Sequence, residues 1–239
     1  MIVLFTDYGL VGPYLGQVQT VIYNEAPDEK VINLMADAPR HNPRASAYLL
    51  DAVTGNFTDE TIFFCVIDPG VGRFDDTPVV LKIDQQWFVG PDNGLFDMVV
   101  RRSESVKCWK IHWRPENMSA SFHGRDLYAP ICAMIANGID IPGEKMIWND
   151  NHNWPDQLNE IIYIDHFGNC MTGIKLTNLE HDRVITVNGQ QIQHANTFAA
   201  AGKGIPFWYG NSNGLVEIAV NQGNAQQILD LSIGNLVEV

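Results

Sequence analysis

Residues 2–35, IVLFTDYGLVGPYLGQVQTVIYNEAPDEKVINLM, decide the fold class. Ile2–Thr6 is a short apolar run closed by turn residues, Tyr14–Asn24 repeats its apolar positions at helical spacing, and Val31–Met35 is again a strand. Strand, helix, strand is the unit from which parallel sheets are built. The rhythm continues outward. Strands are predicted at Thr61–Ile67 and Val79–Ile83, with Trp87–Val89 pairing back from a turn, and helices over Pro43–Val53, Leu95–Arg102 and from His123 through Ala136. In the last of these Leu127, Ile131, Cys132 and Ile135 share one face, so burial accounts for them.

Met146–Trp154, MIWNDNHNW, followed by Pro155, is polar and turn-rich and reads as a linker. Beyond it the pattern turns to β, with strands predicted at Glu160–Ile164, Val184–Val187, Gln190–Gln193, Leu215–Val220 and Ile228–Leu231. Asn188-Gly189 is a two-residue hairpin signal between the second and third. The expected fold class is therefore an α/β N-terminal domain, residues 1–152, with a smaller all-β C-terminal domain, residues 157–239.

Composition sets bounds on function. The 239 residues carry 15 Lys and Arg against 28 Asp and Glu, a formal charge of −13, with 46% hydrophobic and 18% charged residues. That is enough apolar material for a core, and it excludes disorder. The acidic balance argues against nucleic acid, whose phosphates need a clustered basic surface. The longest apolar runs, Ile62–Ile67 and Ala129–Ala136, fall short of the ~18–20 residues that span a bilayer, so no membrane partner is expected. Met1–Phe5 leads straight into a strand without a basic segment, so a cytoplasmic protein is expected. Cys65, Cys108, Cys132 and Cys170 form no C-x-x-C pair, and the seven His show no zinc-binding spacing, so neither a disulfide framework nor a metal is expected.

Five segments carry polar chemistry where packing alone does not demand it. Thr6-Asp7-Tyr8-Gly9 follows the first strand, where ligands of open α/β sheets collect, and Asp7 reads either as an acceptor for a diol or as a cap. Asp68-Pro69-Gly70-Val71-Gly72-Arg73 is a tight loop at another strand end; it lacks the ending of a phosphate-binding loop, and Asp68 reads also as a turn starter. Phe122-His123-Gly124-Arg125-Asp126 reads as a general base with its orienting partner, or as a surface ion pair at a helix start. Asp165–Asn169 sets an aromatic face beside an amide, which suits a purine, and Gly210–Gly214 is a turn rich in donors and acceptors. Each of these last two reads equally as a plain β-turn.

Taken in order, TDYG (Thr6–Gly9), DPGVG (Asp68–Gly72), PDNGLF (Pro91–Phe96), FHGRD (Phe122–Asp126), DHFGN (Asp165–Asn169) and NSNGLVEIAVNQGN (Asn211–Asn224) resemble the S-adenosylmethionine hydroxide adenosyltransferase family, relatives of fluorinase and chlorinase. The resemblance covers essentially the whole chain. It implies a barrel-like C-terminal domain and a homotrimer with substrate held between subunits. It also implies hydrolysis of S-adenosylmethionine, a substrate rather than a cofactor, to adenosine and methionine. By motif, Asp7 would bind the ribose hydroxyls, Phe167 and Asn169 the adenine with Phe198 close by, and Ser212 the methionine end. Asn93, Phe122 and Asn211 would also touch substrate, and Asp68, His123 and Arg73 would organise the water. Halogenating relatives carry Tyr at the place of Asp68 and fluorinase Ser at that of Gly124, which speaks against halide transfer. The chain departs from the family pattern at Gly12, Asp75 and Gly173, and a weakly active or binding-only protein is the alternative reading.

Overall fold

The computed structural model describes residues 1–73 and 77–239. The chain divides into two compact units, one of Met1–Leu50 with Asn56–Asn153 and one of Asp51–Gly55 with Trp154–Val239. In chain order the first carries β1 (Ile2–Thr6), α1 (Tyr14–Glu25), β2 (Val31–Met35), α2 (Pro43–Thr54, begun here), β3 (Ile62–Val66), β4 (Pro78–Ile83), β5 (Gln86–Pro91), α3 (Asp97–Arg101), β6 (Val106–Ile111), a π-helical turn (Gly124–Tyr128), α4 (Ala129–Ala136) and β7 (Gly143–Met146).

The seven strands form one mixed sheet in the order β2-β1-β3-β5-β4-β6-β7. β1 lies parallel to both β2 and β3, and β3 parallel to β5; β4 runs antiparallel to β5 and β6, and β6 to β7. β3, wholly apolar, and β1, apolar up to Thr6, are buried along their length, as central parallel strands must be. Ile2, Leu4, Ile62 and Phe64 pack on Val18 and Ile22 of α1 and on Ile131 and Cys132 of α4, so this face of the sheet is sealed by the helices whose apolar spacing the sequence displays.

The second unit carries β8 (Leu158–Ile164), β9 (Cys170–Lys175), β10 (Ile185–Val187), β11 (Gln190–His194), β12 (Pro206–Gly210), β13 (Leu215–Val220), α5 (Ala225–Ile228) and β14 (Val237–Glu238). Its sheet runs β14-β10-β11-β12-β13-β9-β8, and a bridge from Glu160 to Leu236 brings the two ends together, so the sheet nearly closes into a barrel. Trp208, fully buried, fills the interior with Ile185, Ile192, Val216 and Ile218. Asn188 and Gly189, at φ 47° and 73°, make the expected hairpin turn between β10 and β11.

Several expectations change. Ile228–Leu231 is not a strand: the Asn224 Oδ1 accepts from the Gln227 N–H at 2.8 Å and caps α5, so the chain turns helical there. The helix expected at Leu95–Arg102 shrinks to α3, and the one from His123 opens as a π-turn before α4. β6, β7, β9, β12 and β14 lie outside the predicted strands; they are short or interrupted by Lys, Gly or Pro, and tertiary pairing recruits them. Gly173 pairs with Leu158 so closely that a Cβ there would meet the Leu158 Cβ at 2.6 Å and its carbonyl oxygen at 2.7 Å. Gly173→Asn is expected to cost about 1–3 kcal/mol in urea unfolding, as overpacking does.

Asp97, at the start of α3, is buried, with Oδ2 3.0 Å from Nδ1 of His152, while Arg101 pairs with Asp150 at 2.5 Å. Burial, and then the nearby Asp150 carboxylate, push the Asp97 carboxyl up to about 6, with His152 acting in the opposite sense. An unfolded Asp titrates near 3.9, so between about pH 4 and 6 the folded chain holds more protons and loses stability as the pH rises. Stability of Asp97→Asn relative to wild type, read by urea unfolding from pH 4 to 7, is therefore expected to climb across that window and then level off.

Candidate functional site

The sheet order reverses direction at β1 and β3, and the crevice beyond the carboxyl ends of such strands is where open α/β sheets bind ligands. Parallel register pairs Thr6 with Val66, so Asp7 and Asp68 leave the sheet side by side. A cavity of about 260 Å³ opens there, walled by Asp7, Tyr8, Tyr14, His41, Asp68, Phe122, His123 and Gly124.

Asp7 does not cap α1, whose N-cap is Pro13 with no side-chain bond; instead its Oδ2 accepts from the His41 backbone N–H at 3.0 Å. The Asp68 Oδ1 accepts from the Gly70 N–H at 3.0 Å, so the turn-starter reading holds while the carboxylate still lines the cavity. A Cβ on Gly70 would lie 3.3 Å from Arg73 Cδ and 3.6 Å from Asp68 Oδ1, so the exposed Arg73 side chain folds back over Gly70 in the same turn. Asp75 falls outside the described residues.

The FHGRD segment divides its labour. Arg125 grips Asp126 at 2.6 Å, and this pairing, joined by the Ser119 N–H, holds the Asp126 carboxyl below the usual carboxylate range. Arg125 also stacks on Phe122, with its guanidinium carbon 5.2 Å from the ring centre. The ion pair thus fixes the start of the π-turn, and the buried His123 faces the cavity. Asn93 is not in the cavity wall. Its amide donates to the Ile67 carbonyl at 2.8 Å and its Oδ1 accepts from the Leu95 N–H at 3.4 Å, bracing the strand end that carries Asp68.

The second unit holds a larger cavity, about 640 Å³, that brings Phe167, Asn169, Phe198, Asn211 and Ser212 together. Phe167 is 72% exposed, and Phe198 stands edge-on to Phe207 and Tyr209 at 5.1 and 5.3 Å. Asp165 accepts from the Phe167 and Asn169 backbone N–H groups at 2.9 and 2.8 Å and from the Asn169 side-chain amide at 3.0 Å, which fixes the aromatic–amide pair.

Glu217 was not foreseen as part of this wall. It is buried in β13, taking the Tyr209 hydroxyl at 2.5 Å and the Asn211 amide at 2.8 Å; burial pushes its carboxyl pKa up, and Asp165 adds to that. The signal available in the sequence was a single acid inside the otherwise apolar Leu215–Val220. Among the described residues the cluster with metal-ligand spacing is Asp97, Asp150 and His152, which lies outside both cavities and whose Asp150 is already neutralised by Arg101. No helix among them is long and apolar enough to cross a membrane.

Comparison with known proteins agrees with this geometry. The S-adenosylmethionine hydroxide adenosyltransferase N-terminal domain matches residues 2–143 and the C-terminal domain of the same family residues 159–238. Proteins named (R)-S-adenosyl-L-methionine hydrolase are similar over nearly full length. The one from Salinispora arenicola is 31% identical, covering 98% of this chain and 95% of its own, and the one from Thermus thermophilus is 29% identical, covering 96% and 95%. The crystal structure of an uncharacterized conserved protein from Thermotoga maritima superposes with a TM-score of 0.90 at 28% identity, covering 100% of this chain and 99% of that one. With both domain models matched in order over nearly the whole chain, the chain belongs to the S-adenosylmethionine hydroxide adenosyltransferase family.

Proposed function

We propose that the chain hydrolyses S-adenosylmethionine to adenosine and methionine by attack of water at the ribose C5′. The observation that carries this reading is the convergence of Asp7, Asp68 and His123 on one cavity at the sheet's switch point. The leaving group is a neutral thioether and needs no acid, so the protein's task is to hold the sulfonium, align the water and exclude competitors. Carboxylates at both cavities, and the charge of −13, suit a cationic substrate. In this proposal Asp68 and His123 organise the water, with Arg73 folded over the same turn. Asp68 also disfavours halide as nucleophile, since it sets a negative charge beside any incoming anion.

Asp7, with one oxygen committed to His41, offers the other to the ribose diol. Phe167 and Phe198 flank the adenine. Asn169, braced by Asp165, presents its remaining amide atoms to the purine edge, and Asn211 and Ser212 take the methionine end. Phe122 closes the ribose side, and Asn93 acts by bracing the Asp68 strand end.

The arrangement extends to the assembly. In the proposed homotrimer, the N-terminal cavity of one subunit and the C-terminal cavity of its neighbour enclose one substrate. Leu10 and Val11, 72% and 93% exposed on the loop after β1, and the exposed Phe167 are the apolar surface such an interface would cover. A cytoplasmic setting is part of the proposal, and the four buried free thiols are consistent with it.

Purified protein incubated with S-adenosylmethionine is expected to release adenosine and methionine in equal amounts, followed by chromatography. Asp68→Asn and His123→Ala are each expected to lower kcat roughly 10²-fold or more, the scale of a lost acid–base group, while adenosine binding persists. Absence of adenosine from wild-type protein that binds the substrate contradicts the proposal.

A further inference from the structure

Tyr8 takes no part in the chemistry proposed above, yet it lines the N-terminal cavity. Its ring meets Phe122 edge-on at 5.8 Å and lies 6.1 Å from Tyr14, which itself stands edge-on to Phe122 at 5.3 Å. The three rings lock one another and fix where the phenol points. It points at Gly124: a Cβ built there would fall 1.9 Å from the Tyr8 Oη and 3.0 Å from Cζ. The hydroxyl therefore fills the space that any side chain at position 124 would take, on the backbone that follows His123.

The hydroxyl makes no hydrogen bond among the described residues, although it sits in the wall that holds Asp7, Asp68 and His123. A phenol both donates and accepts. Burial, and then the Asp7 and Asp68 carboxylates, push its pKa up, so it stays protonated and able to donate at any pH the protein meets. A fixed donor without a protein acceptor, opening on a cavity, is placed for a ligand or a water.

We infer that the Tyr8 hydroxyl donates a hydrogen bond to the attacking water while Asp68 accepts one from it. The inference rests on the hydrolase reading above and deepens it. A water held this way gives one O–H to Asp68, takes the Tyr8 O–H on one lone pair, and keeps the other lone pair for C5′. The C5′–O bond forms as the C5′–S bond breaks, and the electron pair of that bond leaves with sulfur, converting the sulfonium to the neutral thioether of methionine. One proton of the water stays as the adenosine 5′-hydroxyl, and the other passes to Asp68 and on to solvent. Tyr8 transfers no proton. Its contribution is to remove the orientational freedom of the water before reaction.

The test is Tyr8→Phe, read as kcat and KM for S-adenosylmethionine and as adenosine affinity by calorimetry. Expected is a kcat about 10- to 100-fold lower, the scale of misplacing a reacting group, with KM and adenosine affinity within about threefold of wild type. Gly124→Ala, whose new methyl would claim the place of the hydroxyl, is expected to give the same split, and it decides the matter if the phenylalanine variant does not fold. A Tyr8→Phe enzyme with wild-type kcat overturns the inference, as does one whose lost turnover is matched by lost adenosine affinity, which would make Tyr8 a substrate contact only. If wild-type protein turns over and Tyr8→Phe keeps pace, the Tyr8 role alone falls; if wild type releases no adenosine, the hydrolase reading falls with it.

Discussion

The parallel hydrogen bonding of β1 to β3 is the constraint on which the N-terminal cavity depends. Its register sets Thr6 against Val66, and the two strands therefore deliver Asp7, Tyr8 and Asp68 to one end of the sheet. Nothing in the loops alone would hold two carboxylates at one cavity against their mutual repulsion. The strands do so because they are buried from end to end and packed on α1 and α4. The same sheet end then receives His123 and Gly124 from the π-turn, whose start the Arg125–Asp126 pair secures. Three segments far apart in sequence meet because one strand pairing and one ion pair fix where each must end.

The second cavity is built on a different principle. Here a nearly closed sheet supplies the frame, and two carboxylates, the half-buried Asp165 and the buried Glu217, supply the order. Asp165 ties the loop bearing Phe167 and Asn169, and Glu217 ties Tyr209 and Asn211. A buried carboxylate that accepts several bonds is costly to strip of a partner, so each polar group on this wall is held in one orientation. The exposed rings of Phe167 and Phe198 above that fixed floor give a stacking surface whose polar edge does not shift.

Much of this was legible in the sequence where one physical signal dominated. Continuous apolar runs marked β1 and β3, helical spacing marked α1 and α2, and Asn188-Gly189 marked its hairpin. The signal failed where pairing partners, rather than composition, decide the state. β6 is interrupted by Lys107 and Lys110, β9 and β12 contain glycine, and α5 exists through one side-chain cap that hydropathy does not register. At the sites, strand-end position located Asp7 and Asp68, but spacing did not separate the structural Arg125–Asp126 pair from the cavity-facing His123. It also left open that Asn93 braces a strand end instead of lining the cavity. Glu217 was passed over because it sits in an otherwise apolar strand, and Tyr8 because the carboxylate of Asp7 beside it carried the whole reading of that segment.

In the proposed reaction, water placed by the Asp68 end of the sheet displaces methionine at C5′. Turnover of S-adenosylmethionine in ¹⁸O-water, with both products weighed by mass spectrometry, tests it most directly. Attack by water at C5′ gives adenosine carrying one heavy oxygen at the 5′ position and methionine carrying none. Adenosine without the label, or label in methionine, would contradict it.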